Sequence, residues 1–244
     1  MVVNQQVISD FADAVKISSQ IQVIEEGTQI TDDGIYLEIE RKPLRVTIRV
    51  GYSSNITMGP MSTDGDVVVD WGDGTTSIIN NPTDYIEHRY PNTLTSYTIT
   101  FNGKVTGLGQ MFFAQANGNF SVTSIYIPDS VVTIGSDCFN SCIDLISIVI
   151  PDSVVTIGNT CFNRCTGLTS VVIPASVESI GYSCFSDCYN LIDYQLYWTG
   201  NNIIRYDPNI MKTNNGTIFT IPVGETANYV AKGYPSAELQ ERSE

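Results

Sequence analysis

Cysteine is the residue type in this sequence that could most readily carry chemistry, and its copies are regularly spaced. They form three Cys-x3-Cys pairs that repeat every 23 residues: Cys138 and Cys142, Cys161 and Cys165, Cys184 and Cys188. Thiolates bind zinc, act as nucleophiles and join in disulfides, so each of these uses has to be weighed against the spacing.

The spacing argues against all three uses. Three cysteines in a column cannot pair without leaving one over, and cysteines four apart on a short turn rarely meet the geometry of a disulfide. The one histidine, His88, lies far from the cysteines in the chain, so a Cys-His zinc site or nucleophile-base pair has no partner nearby. We therefore predict six reduced, buried cysteines that line a core, with no catalytic residue, metal or cofactor.

Other residues keep the same 23-residue period. The columns are Pro128, Pro151 and Pro174; Gly135, Gly158 and Gly181; Phe139, Phe162 and Phe185; Leu145, Leu168 and Leu191. A fixed period in the twenties is typical of a solenoid, in which each unit buries its apolar face against the next. A looser first unit at 108–128 has Gly109 and Phe113 in the glycine and phenylalanine places and carries three inserted residues.

The pattern L-x-S-V-x-I-P-x-S-V-x-x-I-G-x-x-C-F-x-x-C resembles the BspA-like leucine-rich repeat family. That family normally has alanine in the column of Cys138, Cys161 and Cys184, and cysteine is a small change in a packed interior. The resemblance implies a solenoid with a C-terminal cap over residues 105–235. We expect the cap to hold a short helix with Thr226 as its N-cap and Gly233 as its stop, followed by a polar tail at 236–244.

Short strands separated by Gly, Asn, Pro and Asp precede the repeats and predict a β-sandwich at residues 34–104, within a mainly β protein. The strands are expected at 35–40, 44–50, 67–75, 85–90 and 96–105. This region resembles the PKD family of Ig-like sandwiches through Asp70, Trp71, Gly72, Asp73, Gly74, Thr75, His88, Tyr90 and Tyr97. The resemblance implies that His88 is structural.

Asp70 and Asp73 could be read as calcium ligands, because hard cations take carboxylate oxygens. The further acids and closing glutamate of an EF-hand are absent around them. A tight turn is the simpler interpretation, since Asp caps turns and Gly74 can supply a positive φ.

The net charge of the chain indicates which partners are disfavoured. A charge of −14 argues against a nucleic-acid or anionic-membrane partner, since binding phosphates requires Lys and Arg.

Residues 1–33 are predicted to be a docking segment with a short amphipathic helix. One helical face would carry Val7, Phe11, Ala14 and Val15. Such a helix is too short to be stable alone and has to pack on the same chain or on a partner.

These features lead to a functional hypothesis. We expect a non-enzymatic bacteriophage virion protein, such as a head fibre, decoration or tail-associated protein, made in the host cytoplasm because no secretion signal is visible. It would join other virion proteins through its N-terminal region, form a homo-oligomer and present the repeats to a host surface protein or glycan. A bacterial cell-surface adhesin is the alternative, and a carbohydrate-active enzyme, whose acids could be distant in the chain, is the third.

Overall fold

In the computed structural model, one long strand links an N-terminal β-sheet to the repeats. The model describes residues 42–50, 55–81, 83–91, 95–114, 120–204, 207–211 and 216–242. Residues 43–244 belong to one compact unit. The docking segment predicted at 1–33 and the strand predicted at 35–40 lie outside the described residues.

The described residues are mainly β. The strands are β1 (Leu44–Val50), β2 (Asn55–Met58), β3 (Met61–Asp70), β4 (Thr76–Ile79), β5 (Ile86–Arg89), β6 (Thr95–Leu108), β7 (Phe120–Tyr126), β8 (Thr133–Ile134), β9 (Ser147–Val149), β10 (Thr156–Ile157), β11 (Ser170–Ile173), β12 (Ser179–Ile180), β13 (Asp193–Leu196), β14 (Ile218–Ile221) and β15 (Leu239–Glu241). A helix, α1 (Thr226–Ala231), and two 3-10 turns, Gly200–Asn202 and Ser236–Glu238, lie near the C-terminus.

The N-terminal strands follow from alternation of apolar and polar residues. In β1 the alternate residues Leu44, Val46, Ile48 and Val50 are fully buried, as a strand with one face on a core requires. β1 lies between β6 and β7 and is antiparallel to both. β3 pairs with the other side of β6, and β4 pairs with β3. β2 and β5 form a separate two-stranded sheet.

β6 joins this sheet to the repeats. Its first part is antiparallel to β1 and β3, and its last two residues, Gly107 and Leu108, pair in parallel with Thr133 and Ile134 of β8. The domain boundary predicted between residues 104 and 105 therefore falls within a continuous strand. The backbone hydrogen bonds of the N-terminal sheet continue directly into the solenoid.

The repeats form stacked coils, which we number by residues: coil 1 (108–130), coil 2 (131–153), coil 3 (154–176) and coil 4 (177–199). The short strands β8, β10 and β12 pair in parallel along one side of the stack. Along another side run β9, β11, β13, β14 and β15, also parallel. Each of coils 2, 3 and 4 supplies one strand to each of these two sides, because the repeat returns equivalent residues to the same place.

The glycine column is explained by close backbone contact between coils. A Cβ on Gly158 would lie 2.5 Å from the carbonyl carbon of Gly135, and one on Gly135 would lie 2.6 Å from that of Gly109. No side chain fits at these positions unless the coils move apart. The assignment of Gly109 to the first, looser unit therefore agrees with the packing.

Near the C-terminus the structure differs from two predictions made from the sequence. The expected polar tail at 236–244 is wrong as a description of Leu239–Glu241, which form β15 and pair with β14. Arg242 then stacks 3.3 Å from the ring centroid of Tyr197. The N-cap of α1 is Glu225 rather than Thr226, which is its first helical residue, whereas Gly233 follows the helix end with a φ of 95°, as a helix stop does.

Candidate functional site

The six cysteines lie inside the coil stack. Cys138, Cys142, Cys161, Cys165, Cys184 and Cys188 are all buried, and none is joined in a disulfide. In the second column each thiol donates to the carbonyl oxygen of the phenylalanine one coil earlier. The distances are 3.5 Å from Cys142 to Phe113, 3.2 Å from Cys165 to Phe139 and 3.0 Å from Cys188 to Phe162.

The surroundings of four of these thiols, those of Cys161, Cys165, Cys184 and Cys188, oppose ionisation. Burial raises the pKa of Cys161 and of Cys184 well above the ordinary value. For Cys165 and Cys188 the contact with the neighbouring thiol of the column raises the pKa first, and burial adds to it. A protonated thiol is a poor nucleophile and a poor metal ligand. In the part of the chain that the structure describes, no group of His, Cys, Asp and Glu has the arrangement of a metal site.

The phenylalanine column stacks beside the cysteines. The ring centroids of Phe139 and Phe162 are 5.5 Å apart, those of Phe162 and Phe185 are 5.4 Å apart, and both pairs are nearly parallel. Tyr194 closes the row with an edge contact to Phe185 at 5.8 Å. These side chains fill the space between coils and are inaccessible to a ligand.

The residues of the Trp-Gly-Asp-Gly motif gather around His88. The His88 ring stacks on Trp71 with centroids 4.3 Å apart, and its Nε2 lies 2.8 Å from Oδ2 of Asp73. The Tyr90 hydroxyl donates to the main-chain oxygen of Trp71 at 2.7 Å, and Tyr97 stacks on Tyr90. This cluster packs around a tight turn and leaves the His88 side chain 13% exposed.

Asp70 and Asp73 cap the turn that contains the motif. Oδ1 of Asp70 accepts from the Gly72 amide, and Oδ1 of Asp73 accepts from both the amide and the hydroxyl of Thr75. Gly72 and Gly74 have φ values of 77° and 89°. Burial acts to raise the pKa of Asp73, but hydrogen bonds from Thr75 and His88 outweigh it and lower that pKa below its ordinary value. The carboxylate oxygens are thus engaged in the turn.

A surface groove of about 560 Å³ lies where the N-terminal sheet meets the coils. β7 forms one wall, and coils 2, 3 and 4 contribute Val149, Val172 and Tyr197 among others. Asp129 and Asp152 lie at equivalent places in coils 1 and 2, each after the repeat proline, and both line the groove. We call this feature the seam groove.

The seam groove arises because coil 1 departs from the repeat. In coils 2 to 4 the strand before the proline joins the five-stranded sheet, whereas β7 pairs antiparallel with β1 and ends the other sheet. β7 and β9 are therefore the neighbouring end strands of two different sheets. Asp144 of coil 2 braces the junction, since it accepts from the Ser121 hydroxyl at 2.6 Å and forms an ion pair with Arg49.

The groove combines accessible apolar side chains with polar ones such as Thr123, Ser124 and Ser147. Val149 and Ile146 are 66% and 62% exposed, and Tyr126 and Tyr197 are each 41% exposed. Burial and the charge of Asp129 raise the pKa of the Tyr126 hydroxyl, although Arg45 opposes this. Sequence reasoning missed the groove. One available signal was Tyr197, which stands at the place of Pro128, Pro151 and Pro174 in the 23-residue register.

The described residues contain no helix that is long and apolar enough to cross a membrane.

Each of coils 2 to 4 contributes one glycine, one phenylalanine and one leucine to columns that run along the stack. Stacked parallel coils with such columns define a leucine-rich-repeat solenoid. The family model for the BspA type leucine rich repeat region matches six copies at residues 75–192 and 106–224, together more than half of the chain. The chain belongs to that family. The match begins at residue 75, inside the region predicted to be a sandwich.

Solved structures of leucine-rich repeat proteins are similar to parts of the chain. One from Bacteroides ovatus is 32% identical over 38% of this chain and 23% of its own, with a TM-score of 0.32. One from T. pallidum is 24% identical over 47% and 59%, with a TM-score of 0.30. A leucine rich cell surface protein from Faecalibacterium prausnitzii is 19% identical over 66% and 54%, with a TM-score of 0.31.

The chain thus spans less than two thirds of each of these proteins. No curated protein matches it significantly.

Proposed function

We propose that this leucine-rich-repeat protein is a non-enzymatic surface protein that binds its target through the seam groove. The observation that carries the proposal is an accessible apolar groove on an otherwise acidic solenoid. Its walls include Val149 and two half-exposed tyrosines, whose apolar area is available for contact with a partner. Apolar surface gains free energy when a partner removes it from water.

The position of the two groove carboxylates supports a binding role over hydrolysis. Glycosidases place an acid and a base on either side of the scissile bond. Asp129 and Asp152 occupy equivalent positions on successive coils, and both line the groove. Two carboxylates that the repeat places equivalently can attract a cation together, whereas a glycosidase uses its two carboxyl groups in different roles.

We propose a bacteriophage virion as the setting, with the repeats turned toward the host. Six cysteines without a disulfide among them are typical of proteins that fold in a reducing cytoplasm, where virion proteins are made. A bacterial cell-surface adhesin is the second candidate. It is favoured by membership of the BspA type repeat family and by the likeness to a protein described as a leucine rich cell surface protein.

We further propose that residues 34–104 are a PKD-like sandwich that carries the solenoid. The cluster of Trp71, His88 and Tyr90 supports this assignment, because each contacts another member of the motif. In this arrangement β6 makes the sandwich a rigid support for the groove.

Attachment of labelled protein to intact cells tests the proposed function. Val149→Arg inserts a bulky cation into the groove, whereas Ile143→Arg adds the same group at a solenoid side chain that is 52% exposed and does not line the groove. We expect Val149→Arg to abolish attachment and Ile143→Arg to retain it. Equal attachment of the two variants would contradict a binding role for the groove.

The two settings are separated by locating the protein with gold-labelled antibody. Label on purified phage particles supports the virion. Label on the walls of uninfected bacteria supports the adhesin.

A further inference from the structure

The seam groove has an electrostatic property that selects among ligands. Between residues 121 and 200 the chain has seven acidic residues and one basic residue, Arg164, which pairs with Asp187 at 3.8 Å. Neither Asp129 nor Asp152 forms an ion pair among the residues that the structure describes. Arg45, which acts on Tyr126, and Arg242, which stacks on Tyr197, are cations beside the groove, but neither forms an ion pair with Asp129 or Asp152.

The arrangement of the two aspartate charges favours a cationic partner. The strands that follow the two aspartates, β8 and β10, pair in parallel at about 4.8 Å, so two like charges stand on neighbouring backbone segments and repel each other. An ammonium or guanidinium group placed between them relieves that repulsion and gains two attractions at once. A neutral ligand leaves the repulsion between the two carboxylates in place.

The length of the groove fits an extended chain. Its lining runs from Tyr126 on β7, across the gap between the two sheets, to Val149, Val172 and Tyr197 of coils 2, 3 and 4. The two spacings between coils 2 and 4, about 4.8 Å each, make roughly 10 Å, the length of about three residues in an extended peptide at about 3.3 Å each, and the gap to β7 adds to this length. The apolar wall and the acidic edge then meet alternate side chains of such a peptide.

We propose that the occupant of the seam groove is an extended segment of a partner protein in which basic and apolar residues alternate. Its apolar side chains contact Val149, Val172 and the tyrosines, and its Lys or Arg side chains bind Asp129 and Asp152. This inference rests on the proposed function and names the chemistry of the target. Charge complementarity decides for a cationic peptide over a neutral glycan.

Fluorescence anisotropy with synthetic peptides tests the inference on the full chain. The probe is the labelled pentapeptide Lys-Leu-Lys-Leu-Lys, and the matched probes are Glu-Leu-Glu-Leu-Glu and Lys-Ser-Lys-Ser-Lys. We expect the first to bind and the other two to bind at least about five-fold more weakly, since each lacks one of the two complementary features. Binding should also weaken as salt rises.

Two pairs of variants locate the peptide. Asp129→Asn with Asp152→Asn should weaken the first probe about five-fold or more, whereas Asp66→Asn with Glu178→Gln removes two exposed carboxylates elsewhere and should leave it unchanged. Val149→Ser should weaken the same probe, and Ile143→Ser should not. If both double charge variants lost the same affinity for the first probe, the peptide would be attracted to the acidic protein in general. That result would overturn the assignment of the site.

The failures of the two proposals can be told apart. If Val149→Arg abolishes cell attachment but the basic peptide does not bind at millimolar concentration, the groove is functional and the peptide inference is wrong. If the groove instead binds a neutral oligosaccharide on a glycan array, and Val149→Arg removes that binding, a glycan is the occupant. If neither attachment nor peptide binding depends on Val149, both proposals fail.

Discussion

The Cys165 thiol donates a hydrogen bond to the main-chain oxygen of Phe139, one coil earlier, over 3.2 Å. The Phe139 amide in turn donates to the carbonyl oxygen of Cys161, one coil later. The turn of each coil is therefore tied to the next through both backbone groups of one phenylalanine. A column that could have held a metal instead satisfies buried carbonyl groups, which are costly to leave unpaired.

The cysteines should be unreactive in the folded protein. Because all six are buried and the resolved shifts in thiol pKa are upward, a thiol reagent should modify the native protein slowly at neutral pH. After unfolding in guanidinium, alkylation followed by intact-mass measurement should count six free thiols. A shortfall in that count, or zinc released on unfolding, would contradict the structural role.

The hydrogen bond of Cys165 should be measurable. Cys165→Ala leaves the Phe139 carbonyl oxygen without this donor, whereas Cys161→Ala removes a buried thiol at the place where the family normally has alanine. We expect Cys165→Ala to lower the free energy of unfolding by about 1 kcal/mol more than Cys161→Ala. Urea denaturation of the two variants makes the comparison, and equal losses would show that the thiol-carbonyl contact contributes nothing.

Phe162 should be one of the most costly side chains to truncate. It is fully buried between Phe139 and Phe185, so Phe162→Ala should lower the free energy of unfolding by about 3–5 kcal/mol. Tyr182→Ala, at an aromatic side chain of coil 4 that is 62% exposed, is the control and should change it by less than about 0.5 kcal/mol. Chemical denaturation monitored by fluorescence measures both. Similar small losses would mean that the coil interior is packed differently.

The contact of Asp73 with Thr75 and His88 predicts an acid-dependent loss of stability. The folded-state pKa of Asp73 lies below its ordinary value of 3.8, so ionised Asp73 stabilises the fold above that value and loses this effect as the pH falls through the lower folded pKa. Asp73→Asn should destabilise the protein at pH 7, and its deficit should shrink toward pH 3.

Urea denaturation at pH 7, 5 and 3 measures this deficit. Asp66→Asn, at an exposed carboxylate, should show little deficit at any pH. A deficit for Asp73→Asn that stays constant with pH would assign the loss to the turn and not to the charge.

Deletion of residues 1–30 tests the proposed docking role of the N-terminal segment. The denaturation midpoint of the shortened protein should be measured first, because an unchanged midpoint shows that any loss of assembly is not a loss of folding. The proposed virion role predicts that the shortened protein no longer joins the particle, which sedimentation of reconstituted particles with labelled protein can measure. Normal incorporation would show that docking occurs elsewhere.

Much of the solenoid could be read from the chain. A period of 23 residues places equivalent residues one above another, so the cysteine, phenylalanine and glycine columns were predictable, as was the extra unit marked by Gly109 and Phe113. The turn around Asp73 and Gly74 was also predictable, because its hydrogen bonds are local. In these cases the partner residues are near in sequence or repeat at a fixed spacing, which sequence patterns express directly.

The tertiary structure alone decided the seam groove. Tyr126 and Tyr197 lie in coils 1 and 4, and whether they share an open surface depends on where β7 finds its backbone hydrogen bonds. β7 has the apolar pattern of a repeat strand, yet it pairs with β1, a strand about 75 residues earlier in the chain. Strand pairing at that distance is a competition among edges that have similar local sequences, so only the folded chain determines its outcome.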